Sequence, residues 1–213
     1  MIGLYVKNVD GVWFGVACND KEVFAASFAF SQEEVLSSLL NAIPCGMPFQ
    51  QFKETSALAE RVLHVLKDVY DGKSFNEILP VCTRHLSSYA RKVIAVVSAV
   101  PLGYVTSYGS VARVAGGSPR AVGRIMAFNP FPLIVPCHRI VSWNFTLGGY
   151  GGGLDVKLAI LKREKRGYSV EAEASVCGGK LRLFPVEFVL NKFEKFGRGV
   201  NIKSRLELHS KKW

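Results

Sequence analysis

Apolar and polar positions repeat with two different periods along this chain, and the changes of period mark its elements. Residues 12–17 and 22–30 are short apolar and aromatic runs separated by Asn19-Asp20-Lys21, which predicts an antiparallel hairpin. Ser31-Gln32-Glu33-Glu34 then opens a helix: a serine hydroxyl at this place caps an amide of the first turn, and Val35, Leu36, Leu39 and Leu40 form the apolar face. After a passage broken by Pro44, Gly46 and Pro48, helical spacing returns over about 55–70 and stops at Asp71-Gly72.

From residue 87 the pattern becomes three short helices in close succession. Ser87-Ser88 precede one carrying Tyr89, Val93, Val96 and Val97, which must stop before Pro101 because proline offers no amide to the ladder. Thr106 or Ser107 caps a second over 108–115, ended by Gly116-Gly117. Ser118 caps a third from Pro119 to about Phe128, with the proline in the first turn where its missing amide costs nothing. Helix, glycine turn, helix is the helix-turn-helix arrangement, and also that of an ordinary αα corner. Further on, Gly178-Gly179 predicts a short hairpin, and the chain after Asn191 is basic. The expected fold class is α+β. A small N-terminal α/β domain with an antiparallel sheet spans 1–85, a helical domain with a winged-helix-like helix-turn-helix spans 86–168, and an extension covers 169–213.

Charge sharpens the division. Residues 1–85 carry 7 Lys/Arg against 10 Asp/Glu, residues 86–168 carry 11 against 2, and residues 169–213 carry 9 against 5. A basic excess concentrated in the middle segment fits a polyanion binder, since neutralising phosphates releases counterions. On charge alone a merely soluble basic surface fits equally well. Arg120 and Arg124, with small residues between them, give the third helix an N-terminal half suited to a nucleic-acid groove.

With 49% hydrophobic and 21% charged residues the chain can bury a core. It shows neither a secretory signal pattern nor an apolar run long enough to span a bilayer, so a soluble, intracellular, cytoplasmic protein without a membrane partner is expected. Cys18, Cys45, Cys82, Cys137 and Cys177 are odd in number and irregular in spacing, unlike a secreted disulfide framework. Together with His64 and His85 they form no spacing that suggests a metal site, so neither metal nor cofactor is expected.

The most informative stretch is Val135-Pro136-Cys137-His138-Arg139, which follows the apolar run 131–135. Cysteine reacts as thiolate, and a neighbouring imidazole can supply it near neutral pH. A Cys-His pair in apolar surroundings is also a common inert core feature, so its neighbours must decide.

Those neighbours carry a resemblance. Residues 105–167 read VTSYGSVARVAGGSPRAVGRIMAFNPFPLIVPCHRIVSWNFTLGGYGGGLDVKLAILKREKRG. Ser-Tyr, Arg-Ala-Val-Gly, Asn-Pro, Val-Pro-Cys-His-Arg, the glycine-rich loop 148–153 and a final helix bearing Lys and Glu occur in the order seen in the O6-alkylguanine-DNA alkyltransferases, the methylated-DNA–protein-cysteine methyltransferases. The chain resembles that family firmly over 87–167, and before that only in size and strand-then-helix layout.

The resemblance implies direct-reversal DNA repair, in which Cys137 takes the alkyl group from guanine O6 once and irreversibly. His138 and a water would pass the thiol proton toward Glu164, Tyr108 would donate to the leaving guanine, and Asn129 would position the active-site strand. Arg120 would enter the base stack as the flipped base leaves, with Ala121 and Gly123 packed on the sugars and Arg124 beside them in the minor groove. Ile140, with Tyr150, Gly151 and Gly152, would read the base edge, and Met126, Pro132 and Tyr150 would line the alkyl pocket. The partner implied is duplex DNA containing O6-alkylguanine, bound by a monomer. Pro119 before the finger residue and the bulky Arg124 depart from the usual pattern and bear on groove fit. Non-repairing lesion binders related to this family lack the acceptor cysteine that this chain keeps. A helix-turn-helix regulator would need a further sensor module, and nothing argues for the oxyanion site of a Cys-His hydrolase.

Overall fold

The computed structural model describes residues 1–196; the basic tail beyond them lies outside the described residues. The chain opens with a strand that the hydrophobic pattern did not single out, β1 (Ile2–Val9). It turns through Asp10-Gly11 into β2 (Val12–Cys18), which pairs antiparallel with β3 (Val23–Ala29). Asp10 and Gly11 both take positive φ, 53° and 78°, the geometry of a two-residue hairpin whose twist matches its strands. A short β4 (Phe49–Gln51) adds parallel to β1, giving the order β3-β2-β1-β4.

This sheet is covered on both faces, which explains the nearly continuous apolar runs in β2 and β3. α1 (Gln32–Ala42) packs Val35 and Leu39 with Ile2, Leu4, Ala17 and Phe24 on one side. α2 (Ala57–Tyr70) packs Val62 and Leu66 with Phe14, Val16 and Ala26 on the other. At Gly15 a Cβ would collide with Val35, so glycine is what lets α1 lie close to the strand.

The second half begins with α3 (Ser88–Ser98), then β5 (Tyr104–Ser107), α4 (Tyr108–Ala115) and α5 (Pro119–Ala127). Ser31, Ser56, Ser87, Ser107 and Ser118 each cap a helix by accepting an amide three residues on, at 3.0–3.2 Å. Each such cap contributes ~1 kcal/mol. Ser107, rather than Thr106, caps α4, while the Thr106 hydroxyl donates to Arg182 O at 2.8 Å.

Periodicity found the helices but not the sheet threaded through them. β6 (Ile140–Val141) lies parallel to β5, β8 (Gly179–Pro185) antiparallel to it, and β7 (Ala172–Val176) outside β8, in the order β6-β5-β8-β7. β5 and β6, with four and two residues, are too short for alternation to register, whereas β7 and β8 form the hairpin expected at Gly178-Gly179. α6 (Leu154–Arg163) and α7 (Val186–Phe196) close a separate apolar cluster of Val105, Val141, Leu158, Leu161, Phe184 and Val189.

Hydrogen bonds cross between the halves, among them one from Arg166 to Gly72 O. The Ala26 amide donates to Pro130 O at 2.8 Å, which occupies part of the open edge of β3. Arg163 donates to Tyr70 O at 3.2 Å with its guanidinium 4.4 Å from that ring's centroid.

Leu66 is fully buried between α2 and the sheet. Leu66→Ala should lower unfolding free energy by ~2–5 kcal/mol through lost burial and the remaining cavity, read as a shift in urea midpoint at unchanged slope.

Candidate active site

The segment that delivers Cys137 is held by backbone geometry. Leu133 adopts φ of 70°, a left-handed conformation that an L side chain tolerates only when its surroundings hold it, and Leu133 is buried in the core. Pro136, at φ −77° and ψ 65°, forms an inverse γ-turn in which the Cys137 amide donates to Val135 O at 2.7 Å. Cys137, His138 and Arg139 then make a single 3-10 turn, all three buried. Asn129 braces the approach: its Nδ2 donates to Val135 O, and its Oδ1 accepts the Phe131 amide, both at 3.1 Å.

Glu164, at the C-cap of α6, lies fully buried against this turn. Its Oε1 is 2.9 Å from His138 Nε2, and Arg139 reaches both its oxygens, with Nε at 3.0–3.1 Å and Nη2 at 2.7 Å. Arg139 Nη1 also donates to Val100 O at 2.7 Å, tying in the residue after α3. Burial alone would raise the Glu164 pKa; the charges and hydrogen bonds of His138 and Arg139 outweigh it and hold the carboxyl down at about 2. Burial lowers the pKa of His138 despite Glu164, so the ring is neutral at pH 7. With Nε2–H donating to the carboxylate, Nδ1 carries the lone pair, and Nδ1 is a buried atom without a protein partner.

Burial likewise raises the Cys137 thiol, opposed by Asn129 and by the charge of Lys157. Lys157 was not among the residues singled out by sequence, yet it is fully buried. Its ammonium donates to Ile140 O and Leu147 O at 2.5 Å and to Gly149 O at 3.4 Å, and burial lowers its pKa to about 8. It stitches β6 to the glycine-rich loop and places a cation near the sulfur. A signal did exist: Lys157 precedes Glu164 by two helical turns and so shares its inward face.

A cavity of about 820 Å³ opens beside Cys137, bordered by Tyr108, Arg120, Gly123, Arg124, Met126, Tyr150 and Gly151. Arg120 and Arg124 are exposed on α5 and make no ion pair among the described residues. Trp143, another residue missed in the sequence, stands 84% exposed at the same opening. Tyr108 donates to Gly149 O at 3.2 Å, and burial, then Cys137, raises its pKa. The Tyr150 hydroxyl is buried without a partner of ordinary hydrogen-bond geometry; burial first, then Cys137, pushes its pKa well up.

Not every expected residue meets this cavity. Pro132 and Gly152 border a second one that also reaches Cys137, whereas Ala121 borders neither. Ile140 is fully buried with its carbonyl already bonded to Lys157. Among the described residues no three His, Cys, Asp or Glu side chains gather as metal ligands, and no helix is long and apolar enough to cross a membrane.

Residues 88–166 match the family model described as the 6-O-methylguanine DNA methyltransferase DNA-binding domain. A methylated-DNA–protein-cysteine methyltransferase of Methanocaldococcus jannaschii is 39% identical over 160 residues, covering 75% of this chain and 92% of the relative. Its counterpart from Methanothermobacter thermautotrophicus is 42% identical over 87 residues, 41% of this chain, and that match spans only 48% of the relative. The crystal structure of the O6-methylguanine-DNA methyltransferase from Pyrococcus kodakaraensis superposes with a TM-score of 0.58 at 28% identity, covering 77% of this chain and 99% of that one.

Replacing the Glu164 carboxylate by a neutral amide leaves the Arg139 guanidinium buried without a countercharge, so Glu164→Gln should cost ~3–5 kcal/mol at pH 7. A carboxyl whose folded pKa is about 2 against an ordinary 4.5 contributes stability above pH 4.5 and loses it as pH falls through 2. The stability gap between wild type and variant should therefore narrow across that window in urea melts; a constant gap would contradict the assignment.

Proposed function

The chain belongs to the O6-methylguanine-DNA methyltransferase family, the methylated-DNA–protein-cysteine methyltransferases, and from that premise we propose that it reverses O6-alkylation of guanine in duplex DNA by stoichiometric transfer to Cys137. The observation that carries this reading is the buried row Cys137, His138, Glu164 opening onto a cavity edged by Arg120 and Arg124.

At rest the buried thiol is protonated, so a base must act before it can attack. His138 Nδ1 has the free lone pair for that proton, reached through water, and Glu164 holds the tautomer and stabilises the imidazolium that forms. The sulfur attacks the carbon on O6 in line; the S–C bond forms as the C–O6 bond breaks, and the electron pair leaves with guanine. Tyr108, kept a phenol by its raised pKa, turns from Gly149 O to donate to the departing base. Asn129 keeps the turn in place, and Lys157 favours thiolate by its charge.

The target carbon is inaccessible within a base stack, so the nucleotide must be flipped out, at a cost of a few kcal/mol. Arg120 fills the vacated place from the minor groove, with Ala121, Gly123 and Arg124 along the backbone. Exposed Trp143 offers an aromatic face to an unstacked base. In this reading the protein works as a monomer inside the cell, with residues 86–168 as the reacting and DNA-binding domain beside a small domain of residues 1–85 and an extension over 169–213.

Incubation with a duplex containing O6-methylguanine should add one methyl to Cys137, at one equivalent per protein, by intact mass and peptide mapping. Multiple turnovers, or no adduct, would sink the proposal. Cys137→Ala should abolish transfer yet retain DNA binding. Arg120→Ala should slow duplex repair ~tenfold or more, since the flipping cost is no longer offset, while reaction with a free-base O6-alkylguanine stays near wild type; equal losses would remove Arg120 from its role.

A further inference from the structure

The match to the family model ends at residue 166, but the packing around Glu164 continues beyond it. Glu164 is the C-cap of α6, and the chain then turns through Gly167, whose φ is 76°. Three successive amides of that turn converge on one carboxylate from the first turn of α7. Glu187 Oε1 accepts from Arg166 N at 3.1 Å, Gly167 N at 2.5 Å and Tyr168 N at 3.2 Å. Consecutive amides directed at an anion form a nest, and hydrogen bonds to a charged acceptor are the strong ones. Glu187 is only 8% exposed, so amides released from it inside the protein would carry the full cost of lost hydrogen bonds.

The anchor is itself held in place. Val186 N, one residue before Glu187, donates to Gly103 O at 2.9 Å, and the Tyr168 ring lies 5.1 Å from that of Tyr104. α7 and β8 bring Phe184, Val186, Val189 and Leu190 into one apolar cluster with Leu158 and Leu161 of α6. We infer that Glu187 is a positioning residue for alkyl transfer. By holding the turn at 166–168 it fixes the last turn of α6, and with it the place at which the Glu164 carboxylate meets His138 Nε2. Its bonds go to backbone two to four residues beyond Glu164, so it acts through Glu164 and not on the thiol. Without the nest the end of α6 loosens, and His138 loses the bond that keeps the lone pair on Nδ1. The thiol proton then lacks a ready acceptor. This inference rests on the alkyl-transfer reading.

The test measures single-turnover methyl transfer from an O6-methylguanine duplex at saturating DNA, with each variant shown to be folded by its urea melt. Glu187→Ala should lower the rate constant about ten- to a hundredfold, the range that a small misplacement of a catalytic group costs, while duplex affinity stays at the wild-type value. Nitrogen-15 spectra of the His138 ring should show the Nε2–H tautomer in the wild type and a mixture with the Nδ1–H form in Glu187→Ala. Glu187 Oε2 has no hydrogen-bond partner among the described residues, so in Glu187→Gln the amide nitrogen takes its place while Oε1 still accepts, and most of the rate should return. Glu187→Asp keeps the charge but shortens the reach, and should be slower than Glu187→Gln; this pair carries the comparison should Glu187→Ala not fold. Glu194→Ala, an exposed acid removed from the same helix, should leave rate and spectrum unchanged. A wild-type rate in the folded Ala and Asp variants, or a slower rate with an unchanged His138 tautomer, overturns the positioning role while the repair reading stands. No transfer by the wild type overturns both.

Discussion

Glu164 is a carboxylate taken wholly out of water, which costs several kcal/mol unless its oxygens are fully engaged. Here they are engaged by His138 and Arg139, two residues of the turn that presents Cys137. Arg139 carries the same network to Val100 at the end of α3. One buried acid thus fixes α6, the Cys137 turn and the first helix of the second half relative to one another. The position of the sulfur follows from that constraint together with the γ-turn at Pro136.

Electrostatics then divides the surroundings. The sulfur lies among groups that burial keeps neutral, the thiol itself, the His138 ring and the Tyr108 and Tyr150 phenols, with the charge of Lys157 acting on the thiol. Lys157 is affordable in the interior because three backbone carbonyls replace its water. Outside, α5 presents Arg120 and Arg124, exposed and without an ion pair among the described residues. The proposed single transfer asks for a thiol protected from solvent and a basic face beside it, and the arrangement has both.

The N-terminal sheet takes part in this site. Its edge strand is held to Pro130, six residues before Pro136, and Phe28 and Phe30 border the second cavity. The sheet therefore bears on the site in two ways: it supports the segment leading to Cys137, and it borders a cavity that reaches that residue.

The sequence by itself determined the serine-capped helices, the helix-turn-helix, the Cys-His pair, its distant glutamate and the family, because these depend on near-neighbour patterns in the chain. It missed β1 although Asp10-Gly11 marks its turn, and it missed β5 and β6, whose two to four residues are too few for a period to register. Lys157 was hidden because a lysine in a basic helix reads as solvated, and only packing shows which face is inward. Pairing Glu164 with Arg139 as well as His138, engaging the Ile140 carbonyl, and opening a second cavity onto Cys137 were decided by tertiary structure alone. Each brings together residues 17 or more positions apart, and no local pattern encodes how such segments meet.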